Sequence, residues 1–341
     1  MDGLNLVVQD TKELLELKRD VALNDLVDLT ALRQAQAGLE VKGRKAMTEA
    51  SQDLFRVTLL GTGAPPPSVE RFGPSTLVEV GRQKFIFDAG RGAMQRLHQL
   101  GIPFADIRGM FLTHHHSDHV VGFPDLWLTG WIGRPWGKRN TPLEVWGPEG
   151  TEQMMAHLPQ AFAVDIRVRR RNYPPEGVQL VAHEIGEGVA LEADGITISA
   201  FEVDHGGEEL PAFGYRIDYQ GRSAVLSGDT TFNENLIQHA QGADLLVHEV
   251  TAAGGSAAES PAQLKRIGSN HTTPEQAGEV FARVKPKLAV YNHLLLFGGS
   301  RAEDLIPATR KKYPGPLVVG EDLLRIDIGE RIEAHGFGST V

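Results

Sequence analysis

The sequence predicts a layered α/β fold. Short apolar runs with the character of strands alternate along the chain with runs of helical periodicity, which is typical of α/β domains. The chain has 341 residues, of which 41% are hydrophobic and 23% charged, and this composition excludes a disordered chain and leaves ample length for a core. At Phe55 the pattern changes from apolar residues at helical spacing to short apolar runs typical of strands. We therefore predict a helical N-terminal extension at 1–54 and a main domain at 55–341.

The sequence of the N-terminal extension predicts one or two helices. Apolar residues such as Leu14, Leu17 and Val21 recur at helical spacing with charges between them. Such a helix either covers part of the core or serves as a dimerisation element, and no heptad run is long enough to decide between the two. On this ground we prefer a homodimer.

The main domain contains ten predicted strands and two predicted helices. The strands cover 55–60, 75–80, 84–87, 107–113, 142–145, 196–203, 213–219, 223–226, 245–248 and 288–292. The first helix, at 93–101, ends at a C-cap glycine, Gly101. The second helix, at 273–284, has a plausible threonine N-cap at Thr272 or Thr273.

Composition limits the chemistry that the chain can carry out. The sequence has no cysteine, which excludes disulfides, thiolate metal sites and cysteine nucleophiles, so any metal must be held by His, Asp and Glu. A formal net charge of −10 disfavours a general nucleic-acid binder. No apolar run reaches the ~20 residues that a membrane span needs, and no secretory signal is visible, so we expect a cytoplasmic protein.

The strongest motif is Thr113-His-His-His-Ser-Asp-His119. Alternate side chains at the end of a strand point the same way, so His114 and His116 can converge on one ion. The chain then turns, and Asp118 and His119 can project towards a second point nearby. Imidazole and carboxylate groups suit Zn²⁺. The motif therefore predicts a metal site.

Three further ligand-type side chains follow apolar runs later in the chain. They are His205, Asp229 and His293. One such residue alone is more often structural than a ligand. Three of them, after a first cluster, predict that the chain supplies enough ligands to close two metal sites.

The order of these motifs resembles the metallo-β-lactamase superfamily over about residues 55–330. The order is a strand with Gly-Thr-Gly, Phe-Asp-Ala-Gly, Thr-His-x-His-x-Asp-His, a single His, Gly-Asp-Thr and a second single His. The resemblance implies a four-layer αββα sandwich with two zinc ions per chain. It implies that one ion binds His114, His116 and His205, that the other binds Asp118, His119 and His293, and that Asp229 bridges them.

Two segments resemble the ribonuclease Z branch of this superfamily. Leu246-Val-His-Glu-Val-Thr251 is similar to its His-Glu-Ala-Thr motif, and Asn270-His-Thr-Thr-Pro is similar to its His-Ser-Thr segment. By this resemblance Glu249 and His271 form a proton-handling pair beside His248. The alternative is that His248 and His271 are hydrogen-bonded structural residues.

Two departures from that branch bear on the substrate. The loop at 62–72 lacks the basic Pro-x-Lys-x-Arg-Asn sequence of transfer-RNA-processing members, and the stretch 150–205 has no clear Gly/Pro-rich arm. The basic run at 167–171 within that stretch either contacts an anionic substrate or is a solvated strand face, and we favour the second interpretation. A nucleic-acid substrate is therefore not favoured, and arylsulfatase-like and phosphodiesterase-like relatives fit better.

All four tryptophans lie within residues 127–146. Glycines make the middle of this segment loop-like, which favours an aromatic-lined mouth of the site. Packing in the core or at a dimer interface is the equally weighted alternative.

Taken together, the motifs predict a zinc-dependent hydrolase with a dinuclear site that cleaves a phosphodiester or related aryl ester of a small anionic or aromatic molecule. A metal-bridging hydroxide would be the nucleophile, oriented by Asp118 and Asp229, and His271 would protonate the leaving group. A lactonase or β-lactamase-type hydrolase is the alternative, and the Glu249–His271 pair argues against it. An iron-binding redox protein of the same fold ranks third.

Overall fold

The computed structural model describes residues 52–133, 137–207, 209–253 and 269–338. Apart from 52–54, the predicted N-terminal extension lies outside these residues, so its helices and its separation from the main domain stay predictions. Trp136 also lies outside them. Within the described part of the chain, every helix is too short or too polar to cross a membrane.

Eight strands form the first sheet. In spatial order they are β15 (Ile332–His335), β14 (Arg325–Ile328), β1 (Phe55–Gly61), β2 (Ser75–Val80), β3 (Gln83–Phe87), β4 (Gly109–Phe111), β5 (Leu143–Gly147) and β6 (Leu180–Glu184). The strands from β15 to β3 are antiparallel and those from β3 to β6 are parallel. The carboxyl ends of β3 to β6 therefore meet at one edge.

Seven strands form the second sheet. Their order is β13 (Leu317–Val319), β12 (Leu288–Phe297), β11 (Leu245–Ala253), β10 (Arg222–Leu226), β9 (Ala212–Tyr219), β8 (Ile196–Val203) and β7 (Gly188–Ala193). The strands β10 to β13 run parallel, so this sheet also gathers strand ends at one edge.

Helices cover the outer face of each sheet. They are α1 (Ala93–Gln99), α2 (Ser117–Val120), α3 (Phe123–Trp131), α4 (Thr151–Ala161), α5 (Ala163–Arg169), α6 (Glu234–His239), α7 (Pro274–Val284) and α8 (Leu305–Arg310). Leu97 of α1 and Trp127 of α3 pack on the first sheet, and Leu236 of α6 and Phe281 of α7 pack on the second. A third apolar cluster fills the space between the sheets. The predicted four-layer αββα sandwich is confirmed.

The tryptophans do not line a mouth. Trp127 and Trp131 are fully buried on α3, and their indole N–H groups donate to the carbonyl oxygens of Val178 at 3.0 Å and Pro174 at 2.7 Å. Trp146 stacks on Phe111 between the sheets with 4.7 Å between ring centroids. The aromatic-mouth prediction is wrong for these three residues, because burying a large ring with its N–H satisfied outweighs the loop-forming tendency of nearby glycines.

Several predicted elements differ from the observed ones. The strand predicted at 107–113 is reduced to β4, because the N–H of Thr113 donates to the Asp88 side chain instead of continuing the ladder. The strands β11 and β12 run five residues beyond their predicted ends, because they continue to pair with each other. The basic run 167–171 lies on α5 and the turn after it and not on a strand, with Ile166 as its buried anchor.

Candidate metal centre

The structure brings all seven predicted metal ligands to the shared edge of the two sheets. His114, His116, Asp118 and His119 follow β4, His205 follows β8, Asp229 follows β10, and His293 lies within β12. Among the described residues, five groups have ligand atoms that all lie within 4.8 Å of one another. We call His114, His116 and His205 the first set, and Asp118, His119 and His293 the second set. The other three groups are His114, His119 and Asp229; His205, Asp229 and His271; and Glu249, His271 and His293.

A β-bulge aims His293 into the site. Along the parallel pair of β11 and β12, Glu249 is opposite Asn292 and Val250 is opposite Leu294, so His293 is an extra residue. Its φ of 44° lies in the left-handed region, which costs free energy for a residue with a side chain. Bulges of this kind redirect a side chain from the regular strand alternation.

Two of the histidines donate a hydrogen bond away from the centre. Nδ1 of His119 lies 2.8 Å from Oδ2 of Asp88, and Nδ1 of His205 lies 2.7 Å from the carbonyl oxygen of Asn270. Because both partners accept, each ring carries its proton on Nδ1. The Nε2 lone pairs are then left to point into the centre, which is the usual arrangement of metal-binding histidines.

The hydroxyl of Thr113 orients His114 in the same way. Oγ1 of Thr113 donates its proton to Oδ2 of Asp88 at 2.8 Å and therefore accepts from Nδ1 of His114 at 2.9 Å. Nδ1 of His116 lies 3.0 Å from Nε2 of His114 and 3.1 Å from Nε2 of His205. Whichever nitrogen of His116 carries its proton, at least two lone pairs point into one small space. This space fits a metal ion.

The second set places a lone pair opposite two carboxylates. Nε2 of His119 lies 3.3 Å from Oδ2 of Asp229 and 3.7 Å from Oδ2 of Asp118, and among the described residues it has no hydrogen-bond partner. Nε2 of His293 lies 3.1 Å and 3.3 Å from the same two oxygens. A cation between the Nε2 lone pair of His119 and the two carboxylates removes the repulsion between these acceptors, so this set also fits a metal ion.

Asp229 lies between the two sets. Its Oδ2 is 4.0 Å from Nε2 of His114 and 3.7 Å from Nε2 of His205 on one side, in addition to its contacts with the second set. The side chain is only 3% exposed. A single buried carboxylate oxygen therefore faces both groups of nitrogen atoms.

Electrostatics favour neutral ligands in the first set and positive charge in the second. Burial lowers the pKa of His114, and it lowers the pKa of His205 to about 4. Burial would also lower the pKa of His119, but Asp229 and Asp88 outweigh it and raise that pKa well above its ordinary value. The carboxylates thus stabilise a positive charge at Nε2 of His119, whether a proton or a metal ion supplies it.

Glu249 and His271 form a buried pair beside the ligands. Oε1 of Glu249 accepts from the backbone N–H of Thr272 at 3.0 Å and of Thr230 at 3.2 Å, and it lies 3.3 Å from Nδ1 of His271. Burial of the His271 ring would lower its pKa, but the hydrogen bond to Glu249 outweighs it and raises that pKa. The ring lies 4.7 Å from the ring of His205. The structure thus places the predicted pair at the metal centre.

Sequence reasoning did not assign a role to Asp88, Thr113 or Asn270, although all three orient histidines. Asp88 has a φ of 58°, and its carboxylate accepts from Thr113 and His119 together. The Phe-Asp-Ala-Gly motif contains Asp88 and could have identified it as a functional residue from the sequence. Asn270 acts through its backbone, which no side-chain pattern reveals.

Comparisons with known proteins agree with this geometry. Residues 83–294 match the family model described as a beta-lactamase superfamily domain. The chain is 34% identical over 284 residues to a ribonuclease Z of Mycobacterium bovis (strain BCG / Pasteur 1173P2), covering 82% of this chain and 100% of the relative. It is 35% identical over 281 residues to a ribonuclease Z of Mycobacterium avium (strain 104), covering 81% and 99% of the two chains.

Solved structures share the fold. The metallo-beta-lactamase fold protein YhfI from Bacillus subtilis superposes with a TM-score of 0.64 at 17% identity, over 81% of this chain and 100% of that one. The short form of human tRNase Z superposes with a TM-score of 0.60 at 22% identity, over 80% and 99% of the two chains. At these identities the likeness concerns the fold alone.

We expect Asp88→Asn to weaken metal binding about 10- to 100-fold. An amide has only one acceptor oxygen, so it cannot accept from the Thr113 backbone N–H on one side and from the Thr113 hydroxyl and the His119 ring on the other. The affinity is measured by competition with a chromophoric chelator. Asp106→Asn is the matched control, since the Asp106 side chain is 48% exposed and lies 3.7 Å from Lys84. Equal affinities of the two variants would contradict the role given to Asp88.

Proposed function

Because the chain belongs to the metallo-β-lactamase superfamily, as a ribonuclease Z-like, metal-dependent hydrolase, we propose that it is a dinuclear zinc phosphodiesterase that cleaves RNA. The observation that carries the proposal is the position of Asp229 between two sets of ligand atoms. A single carboxylate shared in this way holds two ions as one unit. Five imidazoles and two carboxylates, with no thiolate, suit zinc.

We divide the ligands between two ions as the family resemblance implies. We assign His114, His116 and His205 to one ion, Asp118, His119 and His293 to the other, and Asp229 to both. When bound, the ions supply an activated water near neutral pH. Asp118 and Asp229 would accept hydrogen bonds from that water and so orient it towards the substrate.

His271 protonates the leaving oxygen in this proposal. Its Nδ1–H donates to Oε1 of Glu249 at 3.3 Å, which leaves Nε2 to face the substrate. The backbone N–H groups of Thr230 and Thr272 hold the same carboxylate oxygen. The raised pKa of His271 keeps the ring protonated at higher pH, as a general acid requires.

RNA is preferred here over the small aryl ester that the sequence favoured. The curated relatives that carry the name ribonuclease Z are matched over nearly their whole length. A basic surface supports this choice. We call it the α5 basic face, and it consists of the exposed Arg167, Arg170 and Arg171. Lysine and arginine contacts to phosphates dominate the affinity of proteins for nucleic acids.

The α5 basic face is connected to the metal centre through α4. Oγ1 of Thr151, at the first position of α4, lies 3.0 Å from Nε2 of His115 in the metal motif. From there the 11 residues of α4 span about 16 Å and lead to α5. We propose that a strand of several nucleotides extends along α4 to these arginines while one of its phosphates lies at the metal centre.

We expect zinc-loaded protein to cleave a fluorescently labelled RNA and bis(p-nitrophenyl) phosphate, and metal-stripped protein to cleave neither. Asp229→Ala should lose zinc and activity together, because the shared ligand is removed. Zinc is quantified by mass spectrometry, with Asp218→Ala on β9 as a control. A wild-type zinc content in Asp229→Ala would contradict the bridging role. If the protein hydrolyses p-nitrophenyl sulfate or a lactone but does not cleave RNA, its substrate is a sulfate ester or a lactone and the RNA assignment is wrong.

We expect His271→Ala to keep its zinc and to slow the cleavage of esters with poor leaving groups by about 10²- to 10⁴-fold, the usual contribution of a general acid. Esters with good leaving groups need no proton and should be much less affected. The measurement is kcat for a series of aryl phosphodiesters of increasing leaving-group pKa. A uniform loss across the series would rule out the general-acid role.

We expect alanine substitution of the three arginines of the α5 basic face to raise KM for RNA at least tenfold and to flatten its salt dependence. KM for bis(p-nitrophenyl) phosphate should not change, because a small ester does not reach α5. The control is the double variant Arg82→Ala, Arg331→Ala, whose arginines lie in turns next to β3 and β15, at the edge away from the metal ligands. Equal effects of the two variants would show that the charge effect is non-specific.

A further inference from the structure

His248 is a buried histidine that the proposed chemistry does not use. Its side chain is fully buried and meets the ring of Phe281 edge-on, with ring centroids 5.7 Å apart. It therefore lies in the layer between the second sheet and α7. Burial lowers its pKa to about 4, so the ring is neutral near pH 7.

A neutral imidazole carries one N–H, and the geometry assigns it to Nδ1. That atom lies 2.6 Å from the carbonyl oxygen of Glu249, which can only accept. Nε2 is then an acceptor, and it has no hydrogen-bond partner in the part of the chain that the structure describes. An unpartnered buried acceptor destabilises the fold, and a leucine here would avoid it. The hydrogen bond from Nδ1 to the carbonyl oxygen of Glu249 offsets this cost.

The backbone of Glu249 depends on side chains for its hydrogen bonds. The strands β10 and β11 are paired only as far as Leu226 and Val247. Beyond that point, the N–H of Glu249 donates to Oγ of Ser227 at 3.0 Å, and its carbonyl accepts from His248. The side chains of Ser227 and His248 thus replace the backbone hydrogen bonds that β10 would make if it continued.

The opposite side of β11 is irregular at the same position. There the bulge at His293 interrupts the regular pairing with β12 directly after Glu249. The backbone of Glu249 therefore lies between a strand end and a bulge, where the ladder constrains it least. Its carboxylate nevertheless has to meet His271 at 3.3 Å, so an additional constraint is required.

We propose that His248 is a positioning residue, whose Nδ1–H holds the Glu249 carbonyl and thereby directs the Glu249 carboxylate to His271. This inference rests on the proposed function of the Glu249–His271 pair. It gives a role to a histidine that touches neither the substrate nor a metal ligand set.

The test compares three substitutions in the zinc-loaded enzyme. His248→Asn keeps an N–H close to the Nδ1 position, His248→Gln offers its N–H near the Nε2 position, and His248→Leu has none. We expect Leu and Gln to lower kcat for an aryl phosphodiester with a poor leaving group by about 10- to 100-fold, with KM and zinc content unchanged. Asn should restore most of the rate. If Leu does not fold, the comparison of Asn with Gln decides.

A double-mutant cycle with Glu249→Gln separates a positioning role from a general structural one. If His248 acts through Glu249, His248→Leu causes no further loss in the Glu249→Gln background. Independent, multiplicative losses would overturn the proposal. An unchanged rate in Glu249→Gln alone would instead overturn the role of the Glu249–His271 pair, so the two failures are distinguishable.

A measurement without turnover tests the hydrogen bond itself. In ¹⁵N NMR of the histidine rings, we expect the zinc-independent rings that are protonated on Nδ1 and unprotonated on Nε2 to include the ring of His248. Its signals should disappear in His248→Leu. Assignment of the proton of His248 to Nε2 would overturn the proposal whatever the kinetics show.

Discussion

The buried carboxylate of Asp229 is the group on which the arrangement of the site depends. A charge removed from water needs nearby opposite charge or hydrogen-bond donors, since desolvation favours its neutral form. Burial would raise the pKa of Asp229, but His293 and His119 outweigh it and hold that pKa well below its usual range. The histidines are therefore required to surround this carboxylate, and divalent metal binding, which the fold implies, satisfies both kinds of group.

Strand topology makes this convergence possible. Both sheets contain a run of parallel strands, and their carboxyl ends meet at one edge. Asp118 and His293, which are 175 residues apart in sequence, thereby come within contact distance. The regular hydrogen-bonded pairing of the strands ends or is interrupted where these ligands lie. The left-handed backbone of Asp88 and His293 shows that strain is concentrated there.

A layer of acceptors behind the ligands fixes their chemistry. Asp88, Thr113 and the Asn270 carbonyl each engage a ring nitrogen that faces away from the centre, and so determine which nitrogen is free to bind a metal. The same principle extends outward to His248 and the Glu249 backbone. In the proposed site, the inner atoms are the metal ligands, and the outer atoms determine the tautomer and direction of the inner ones.

The layered fold could be predicted from the sequence because strand-like and helical runs alternate along the chain. The seven ligand-type residues could be predicted because metal binding demands particular side chains at strand ends, and that demand is visible as local spacing. The Glu249–His271 pair was predicted from the resemblance to the ribonuclease Z branch and not from spacing. The tertiary structure was needed to show that Trp127 and Trp131 are buried, that the basic run at 167–171 lies on a helix and the turn after it, and that β11 and β12 pair beyond their predicted ends. It also assigns the protonated nitrogen of His114, His119 and His205. The acceptor of His205 is a backbone carbonyl 65 residues away, and burial and hydrogen-bond direction depend on such remote neighbours, which no local pattern records.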